Sequence, residues 1–396
     1  MFVSIEDQSA ATLATTIVDQ LKDVGLDLTK LVGQGYDGAA AMSGHLGGCQ
    51  ALIQRQYPRA VYVHCAAHCL NLVLVKATSL PALRHCFSII SELYNFIYHS
   101  TKRAAEFKRA VNEFSPDAKK QKLASMSSTR WASRHDAVAA FNELYLPLVS
   151  YLENLAETAS GDEASKAKLY VNSIKASEFL VAVSILERVL SITMDLSRSL
   201  QAENLDLVEA LDQIDMVLEG LQEKMEQSVD SFNRYIISEA ESLATIAGCT
   251  ITLPRRRGRG AEAERTHNES VASYYFEKLF KPFLLEVITN LKRRFDSHQR
   301  KIFHLCALIP SSIGNVGGSP LCLLLKILMV LPVSTATAER SFSSLKRLKN
   351  YLRATMVQDR LNGLALLHIH REIPVDVEKV IDQFAAERPR KKDFVL

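Results

Sequence analysis

The sequence has few of the features that mark a secreted or membrane protein. Its seven cysteines are irregularly spaced and odd in number, unlike the paired framework of a disulfide-stapled secreted domain. No Lys or Arg precedes Lys22, so the opening predicts neither a secretory signal nor an arginine-rich transit peptide. The most apolar run, Leu321 to Val333, is interrupted by Lys326 and is shorter than the roughly 20 residues that a bilayer requires. We therefore expect a reducing compartment and no membrane partner.

Net charge is also small, at +3 over 396 residues, and does not by itself indicate a nucleic-acid partner. The charges are unevenly distributed, however. Residues 101–134 hold nine Lys or Arg against three acids, whereas residues 201–230 hold nine acids and only Lys224 as a base. This uneven charge distribution predicts one basic surface that can bind phosphates and one acidic surface that cannot.

Helix and strand patterns alternate at the start of the chain, which is typical of an α/β fold. Residues 66–114 read as helix up to a break at 115–117. The pattern before them predicts a helix over 8–24, a strand over 28–32, a helix over 39–57 and a strand over 60–64.

The middle of the chain, 138–248, reads as helix throughout. Apolar residues from Leu207 to Phe232 recur at three- and four-residue steps. This seam favours a helix packed inside an all-helical lobe; an intermolecular coiled coil is the alternative, with only about three heptads to support it. A basic loop is expected at 254–260 and a break at 308–320, followed by helix, turn, helix and helix over 321–369.

A glycine motif, Gly33-Gln-Gly35-Tyr-Asp37-Gly38, matches the G-x-G-x-x-G of dinucleotide sites. Such sites also need an acid about 20 residues later, and no Asp or Glu occurs between Asp37 and Glu92. We therefore expect no nicotinamide or flavin cofactor and no small-molecule substrate. Asp37 remains a carboxylate at the end of a strand, where α/β sheets hold metals and ligands; a plain turn Asp before a helix is the alternative.

Each of two further motifs has two interpretations. His64-Cys65-Ala-Ala-His68-Cys69 could hold zinc, but no second ligand pair follows nearby, and buried side chains at a strand-to-helix junction explain it as well. Arg130 and Trp131, the only Trp, suit contact with a phosphate and a base. A core Trp beside an exposed Arg is equally ordinary.

The C-terminal helix expected after Ser334 and Thr335 has two faces. A 3.6-residue period places three leucines on one sector and three bases on another. The first sector predicts core, and the second is either a nucleic-acid contact or a solvated face. The leucines are Leu345, Leu348 and Leu352, and the bases are Lys346, Lys349 and Arg353.

These motifs together resemble the hAT transposase superfamily, especially its domesticated relatives of the zinc-finger MYM-type and protein-kinase-inhibitor-repressor kind. The most specific element is the block 331–343 with 345–353 and 360–367, which is similar to the family's dimerisation region. The resemblance implies an α/β, mostly helical fold: a truncated ribonuclease-H-like core interrupted by a large all-helical insertion. The expected domains are a partial core over 1–137, the insertion over 138–310, a dimerisation region completing the core over 320–373, and a tail over 374–396.

The resemblance also implies site residues. Active members use three acids to bind two divalent metals, Mg²⁺ or Mn²⁺, for phosphoryl transfer. Asp37 looks like the second acid and Glu339 like the third, and both would be the metal ligands. Cys65 and His68 resemble a Cys-x-x-His motif, and Arg130 and Trp131 an Arg-Trp motif, both near the DNA. Lys346, Lys349 and Arg353 are expected to face nucleic acid, and dimerisation is expected to use Leu345, Leu348, Leu352, Leu364 and Leu367.

One departure decides the expected function. The chain begins just before the helix that precedes the family's fourth strand, and it offers no candidate for the first acid. We therefore expect a catalytically inactive, self-associating protein without a cofactor, with DNA as a further partner. Basic clusters at 255–259 and 388–392 predict nuclear location. The alternative is an active metal-dependent transposase or nuclease whose first acid comes from upstream sequence.

Overall fold

The computed structural model describes residues 2–126, 131–201, 207–254, 270–295, 331, 334–349 and 356–386. Several predicted features lie outside these residues: Arg130, Leu352, Arg353, the break at 308–320 and the basic clusters at 255–259 and 388–392. The backbone of Trp131 is described, whereas its side chain is not.

A small α/β unit opens the chain. Strands β1 (Gly33–Tyr36) and β2 (Val61–His64) pair in parallel, in register from Gly33 with Val61 to Tyr36 with His64. Parallel pairing requires a crossover, which α2 (Ala40–Ser43) and α3 (Cys49–Gln56) provide. Helix α1 (Ala10–Asp23) packs against α3. The small core between them is formed by Ala14, Val18, Leu28, Cys49, Ile53 and Ala60.

The strand predicted over 28–32 is wrong, because the first strand begins at Gly33 and Leu28–Lys30 form a 3-10 turn. Asp27 closes this turn: its Oδ1 accepts hydrogen bonds from the backbone N–H and the hydroxyl of Thr29, at 3.0 and 2.6 Å. Leu28 is buried in the small core from this turn and not from a strand. Gly33 and Gly35 consequently lie within β1, so the glycine motif does not form the expected loop after a strand.

The helix predicted over 39–57 is two helices, α2 and α3. The chain turns sharply between them, where the N–H of Gly48 donates to the carbonyl of Gly44 at 2.9 Å. A Cβ on Gly48 would lie 2.6 Å from that same carbonyl oxygen, so a larger residue cannot adopt this turn. The other predicted elements of this unit, the helix over 8–24 and the strand over 60–64, are confirmed within a few residues.

A large helical lobe follows and has a single hydrophobic core from Cys65 to Phe295. Its central helix packs against several others in the lobe and is almost entirely buried along one side. The helices are α4 (Ala66–Ala77), α5 (Pro81–Tyr98), α6 (Thr101–Phe114), α7 (Trp131–Glu143), α8 (Tyr145–Thr158), α9 (Gly161–Ile174), the central α10 (Ser177–Ser199), α11 (Leu207–Glu226), α12 (Val229–Phe232), α13 (Ser238–Ile246), α14 (Val271–Tyr275) and α15 (Lys281–Arg294). Single π-helical turns, Asn233–Ile237 and Phe276–Phe280, lead into α13 and α15.

The apolar seam of α11 packs inside this lobe. Ile214, Leu218 and Leu221 are at most 5% exposed and belong to the large core. Intramolecular packing therefore explains the seam, and the coiled-coil alternative is not needed for these three residues. Together with the two strands, the lobe confirms the predicted α/β, mostly helical class.

Three helices form the described C-terminal part: α16 (Ala336–Leu348), α17 (Gln358–Ile369) and α18 (Val377–Ala386). Helices α16 and α17 pack on each other. Phe2 joins them from the other end of the chain: its ring lies 5.6 Å from that of Phe342, and its N–H donates to Asn362 Oδ1 at 2.9 Å. The beginning of the chain and its C-terminal helices therefore meet.

Within the described part of the chain, no single helix has the length and apolar character to cross a membrane. Helices α4 and α5 meet those two criteria only as a pair, and they are bent by 110° relative to each other.

Candidate functional site at the strand ends

The C-terminal ends of β1 and β2 bring Asp37 beside the His64–Cys65 corner. The N–H of Cys65 donates to the carbonyl of Tyr36 at 3.0 Å, which extends the parallel ladder one step past His64. Asp37 follows Tyr36 directly, and its Oδ1 accepts from the N–H of Ala39 at 3.2 Å. Asp37 thus lies at a strand end as predicted, although that strand is shifted. The Ala39 contact is the turn role that was its plain alternative.

Two histidines converge on Gly38. The Nε2 atoms of His64 and His68 would each lie 3.0 Å from a Cβ built on Gly38. Their rings are 5.9 Å apart and 26° from parallel, because His64 ends β2 and His68 lies in the first turn of α4. The Tyr62 ring also stacks on His64, with the ring centres 6.2 Å apart. Only a residue without a side chain fits at position 38 without displacing a histidine.

The electrostatics of this site favour uncharged side chains. Burial lowers the pKa of His64, the neighbouring His68 and Arg294 lower it further, and Asp37 opposes them. Burial likewise raises the pKa of Tyr62. Among the residues that the structure describes, neither His64 Nε2 nor the Tyr62 hydroxyl has a hydrogen-bond partner. His64 and Tyr62 therefore present neutral hydrogen-bonding groups at neutral pH.

Cys65 connects this corner to the C-terminal segment. Its Sγ accepts a hydrogen bond from the N–H of Thr335 at 3.2 Å, and the Thr335 hydroxyl lies at the same distance. That hydroxyl is also 3.4 Å from Glu339 Oε1, in the first turn of α16. A chain of contacts thus runs from the end of β2 to Glu339. The Cys65 thiol is a structural acceptor here, and its predicted position near DNA stays a prediction.

The described residues do not form a metal-binding set. Among them, no group of three or more His, Cys, Asp or Glu side chains is arranged to hold a metal ion. Two-metal catalysis needs carboxylates on both sides of the ion pair. The roles of Asp37 and Glu339 as metal ligands remain predictions.

The predicted two faces are present along α16, although the helix ends at Leu348 and Lys349 directly follows it. Lys346 and Lys349 are exposed, and Leu345 and Leu348 are half-buried. On α17, Leu364 is half-buried, whereas Leu367 keeps 59% of its surface exposed and Leu366 keeps 52%. The predicted dimerisation surface is therefore only partly covered within one chain.

Some of the bases of 101–134 contact other groups of the lobe. Arg103 donates to Glu163 at 3.0 Å and covers the ring of Phe96 at 4.5 Å. Burial lowers the pKa of Arg134, which lies 5.1 Å from the centre of the Phe87 ring. Ion pairs also join Lys102 to Glu106 and Lys120 to Asp136. The other described bases of this region are exposed: Lys108, Arg109, Lys119 and Lys122, together with Lys102.

Sequence reasoning missed a carboxyl pair in the lobe. Glu187 of α10 and Glu239 of α13 are hydrogen-bonded to each other, and Asn142 donates to Glu187. Burial, followed by the charge and hydrogen bond of Glu187, raises the pKa of Glu239 to about 7. No sequence motif signals this pair, because its members are far apart in the chain and each follows an ordinary helical pattern.

Comparison with known proteins places this geometry in a family context. Residues 320–373 match the hAT family C-terminal dimerisation region, and residues 1–48 match the ZMYM1/FAM200, RNase-like domain. The chain is 24% identical over 423 residues to the human "52 kDa repressor of the inhibitor of the protein kinase", covering 91% of this chain and 56% of that protein. The mouse protein of the same name is also 24% identical, over 439 residues, covering 95% and 57%.

These matches confirm the resemblance to the hAT superfamily: the chain carries a hAT-type dimerisation region and is homologous to a repressor protein. It spans about half the length of the curated relatives it matches. The match to an RNase-like domain is compatible with the α/β unit at the start of the chain. The boundaries of the four expected domains stay predictions.

Proposed function

Because residues 320–373 match the hAT dimerisation region, we propose that this chain is a non-catalytic interaction protein that self-associates through these residues. One observation carries the proposal. The region that matches a dimerisation region leaves Leu366 and Leu367 more than half exposed in a single chain. Exposed apolar surface of this kind marks an interface.

The test is the mass of the chain in solution. Leu364→Gln with Leu367→Gln should convert a dimer to a monomer at micromolar concentration while the helical circular-dichroism signal is retained. Light scattering behind a sizing column measures the mass. Leu169→Gln is the matched control, because Leu169 of α9 is 58% exposed, as Leu367 is 59%, but lies outside the matched region. A monomeric unmutated chain, or a control as disruptive as the double variant, would count against the proposal.

We further propose that the chain does not cut or join DNA. The described donor set at the strand ends supports this, since it lacks a three-ligand metal group. The names of the relatives also fit regulation and not DNA breakage. We expect no nicking of supercoiled DNA with Mg²⁺ or Mn²⁺. The alternative, an active transposase or nuclease completed by upstream sequence, gains support if nicking occurs and disappears in Asp37→Ala or Glu339→Ala.

Nucleic-acid affinity and nuclear location complete the proposal. Two exposed bases, Lys346 of α16 and Lys349 directly after it, are the contact that we assign to a phosphate backbone. Replacing both residues by Ala should weaken DNA binding similarly for all sequences and reduce its salt dependence. Joint replacement of the bases in 255–259 and 388–392 should leave a tagged chain outside the nucleus. Unchanged DNA binding or unchanged nuclear accumulation would contradict the respective assignment.

A further inference from the structure

A cleft opens between α6 and α8, two helices of the lobe that pack on each other. Its volume is about 670 Å³, within the roughly 300–1,000 Å³ of ligand-binding pockets. The floor is formed by Ala110, Tyr151 and Leu155, none of which is more than 9% exposed. All three belong to the large hydrophobic core, so the cleft is a fixed part of the lobe. It lies outside both residue ranges that match known families.

The α6 wall of the cleft carries charges of alternating sign. Lys102, Glu106, Arg109 and Glu113 line it and fall within about 60° of one another around the helix. Lys102 and Glu106 form an ion pair at 3.8 Å. Arg109 and Glu113 are exposed, and among the described residues neither has an ion-pair partner. The wall therefore presents one base and one acid, about 6 Å apart along the helix axis, to a ligand.

The α8 wall is polar but uncharged. Ser150, Asn154 and Thr158 line it at four-residue steps. The Thr158 hydroxyl donates to the carbonyl of Asn154 at 2.7 Å. The Ser150 hydroxyl and the side-chain NH2 of Asn154 make no hydrogen bond to the described part of the chain. This wall therefore offers hydrogen-bond donors and acceptors of the kind that pair with a peptide backbone.

We propose that this cleft binds an extended peptide segment of a partner protein, with an acidic side chain on Arg109 and a basic side chain on Glu113. Alternate residues of an extended chain point to the same side and lie about 6.7 Å apart, close to the 6 Å between the two charges of α6. An acid and a base separated by one residue therefore complement this wall. Phe114 lines the cleft next to Glu113 and is 42% exposed, which favours an apolar residue after the base.

A nucleic acid fits the cleft less well. A phosphate backbone repeats the same negative charge and is bound by surfaces of Lys and Arg. Along the α6 wall, Glu106 and Glu113 alternate with Lys102 and Arg109, so phosphates would meet an acid beside each base. A peptide can carry both signs of charge in the required order.

The test uses the full chain and a fluorescein-labelled peptide, Ser-Glu-Ser-Lys-Val with an amidated end, in a fluorescence anisotropy titration. The unmutated chain should bind it saturably. Arg109→Glu with Glu113→Arg exchanges the two charges without changing the net charge, and it should weaken binding on the order of tenfold or more. The same variant should prefer the exchanged peptide, Ser-Lys-Ser-Glu-Val. Both positions are exposed, so circular dichroism should show an unchanged fold.

Asp19→Lys with Lys22→Asp is the matched control, because it makes the same exchange within an exposed ion pair of α1. It should change the dissociation constant for the peptide less than about twofold. Absence of saturable peptide binding, or equal affinity of the Arg109–Glu113 exchange and the control, would overturn the inference. A labelled single-stranded DNA that binds in place of the peptide, and is lost in the same exchange, would assign the cleft to nucleic acid and overturn it as well.

Discussion

Large apolar side chains are buried in the helical lobe but remain exposed in the C-terminal helices. In the lobe, leucines and phenylalanines such as Leu186, Phe283 and Leu291 have no exposed surface. In the C-terminal helices, Phe342, Leu367 and Val377 keep about 60% of theirs. Both regions are strongly amphipathic in sequence, so the pattern alone does not distinguish them. The difference is that the lobe buries its own apolar side chains, whereas the described C-terminal helices leave part of theirs exposed.

The strongest test of this contrast is a large-to-small substitution in each region. Phe283→Ala, in the centre of the lobe, should lower the free energy of unfolding by about 3–5 kcal/mol, because it leaves a cavity. Phe342→Ala, with 62% of its surface already exposed, should lower it by less than about 1 kcal/mol. Urea denaturation followed by circular dichroism measures both. Similar losses for the two would mean that α16 is as well packed as the lobe.

The strand-end site lies between these regions and has no spare volume. Gly38→Ala should destabilise the fold by about 1–3 kcal/mol, because its Cβ would press on the Nε2 atoms of both His64 and His68. Gly47→Ala is the control: nothing lies within 4 Å of its Cβ position. Thermal unfolding of the two variants should therefore differ by several degrees. Equal melting temperatures would show that the histidine pair moves aside freely.

The smallest expected effect is a pH dependence inside the lobe. The pKa of Glu239 is about 7 in the folded chain and near 4.5 when unfolded, so the folded state holds the proton more tightly. Its contribution to stability is complete below about pH 4.5 and is lost as pH rises through about 7. Glu239→Gln, which stays neutral, should stabilise the chain by about 1 kcal/mol at pH 8 and by nothing at pH 4.5, after allowance for partial exposure.

The measurement is the denaturation midpoint of both proteins across this pH range. Glu157→Gln is the control, since Glu157 is exposed on α8 and away from this pair. A stability difference that stays constant with pH would rule out the shared proton between Glu187 and Glu239.

Sequence patterns predicted the helices well because their amphipathic period is long and repeated many times. The seam of α11 is an example, with Ile214, Leu218 and Leu221 buried as expected. Patterns failed at the first strand, where only four residues carry the signal. Leu28 and Leu31 look like a strand in the sequence, but the Asp27–Thr29 hydrogen bonds form a turn, and the side-chain NH2 of Gln34 in β1 donates to the carbonyls of Gln50 and Ala60.

For the site, the sequence placed Asp37 at a strand end and identified the two-faced character of α16. It could not predict the approach of Thr335 to Cys65, because nothing local connects residues 270 positions apart. His64 and His68 were visible in the sequence only as part of a motif with two interpretations. The sequence did not show that the absent side chain of Gly38 makes room for both rings.

The contact of Phe2 with α16 and α17 has a practical consequence for every fusion protein made from this chain. Because its ring and backbone are held by Phe342 and Asn362, whatever is attached ahead of residue 2 emerges beside the helices of the dimerisation region. A bulky reporter at that end would compete for space with an approaching second chain. A label on the α8–α9 connection near Ser160, in the helical lobe, avoids this obstruction.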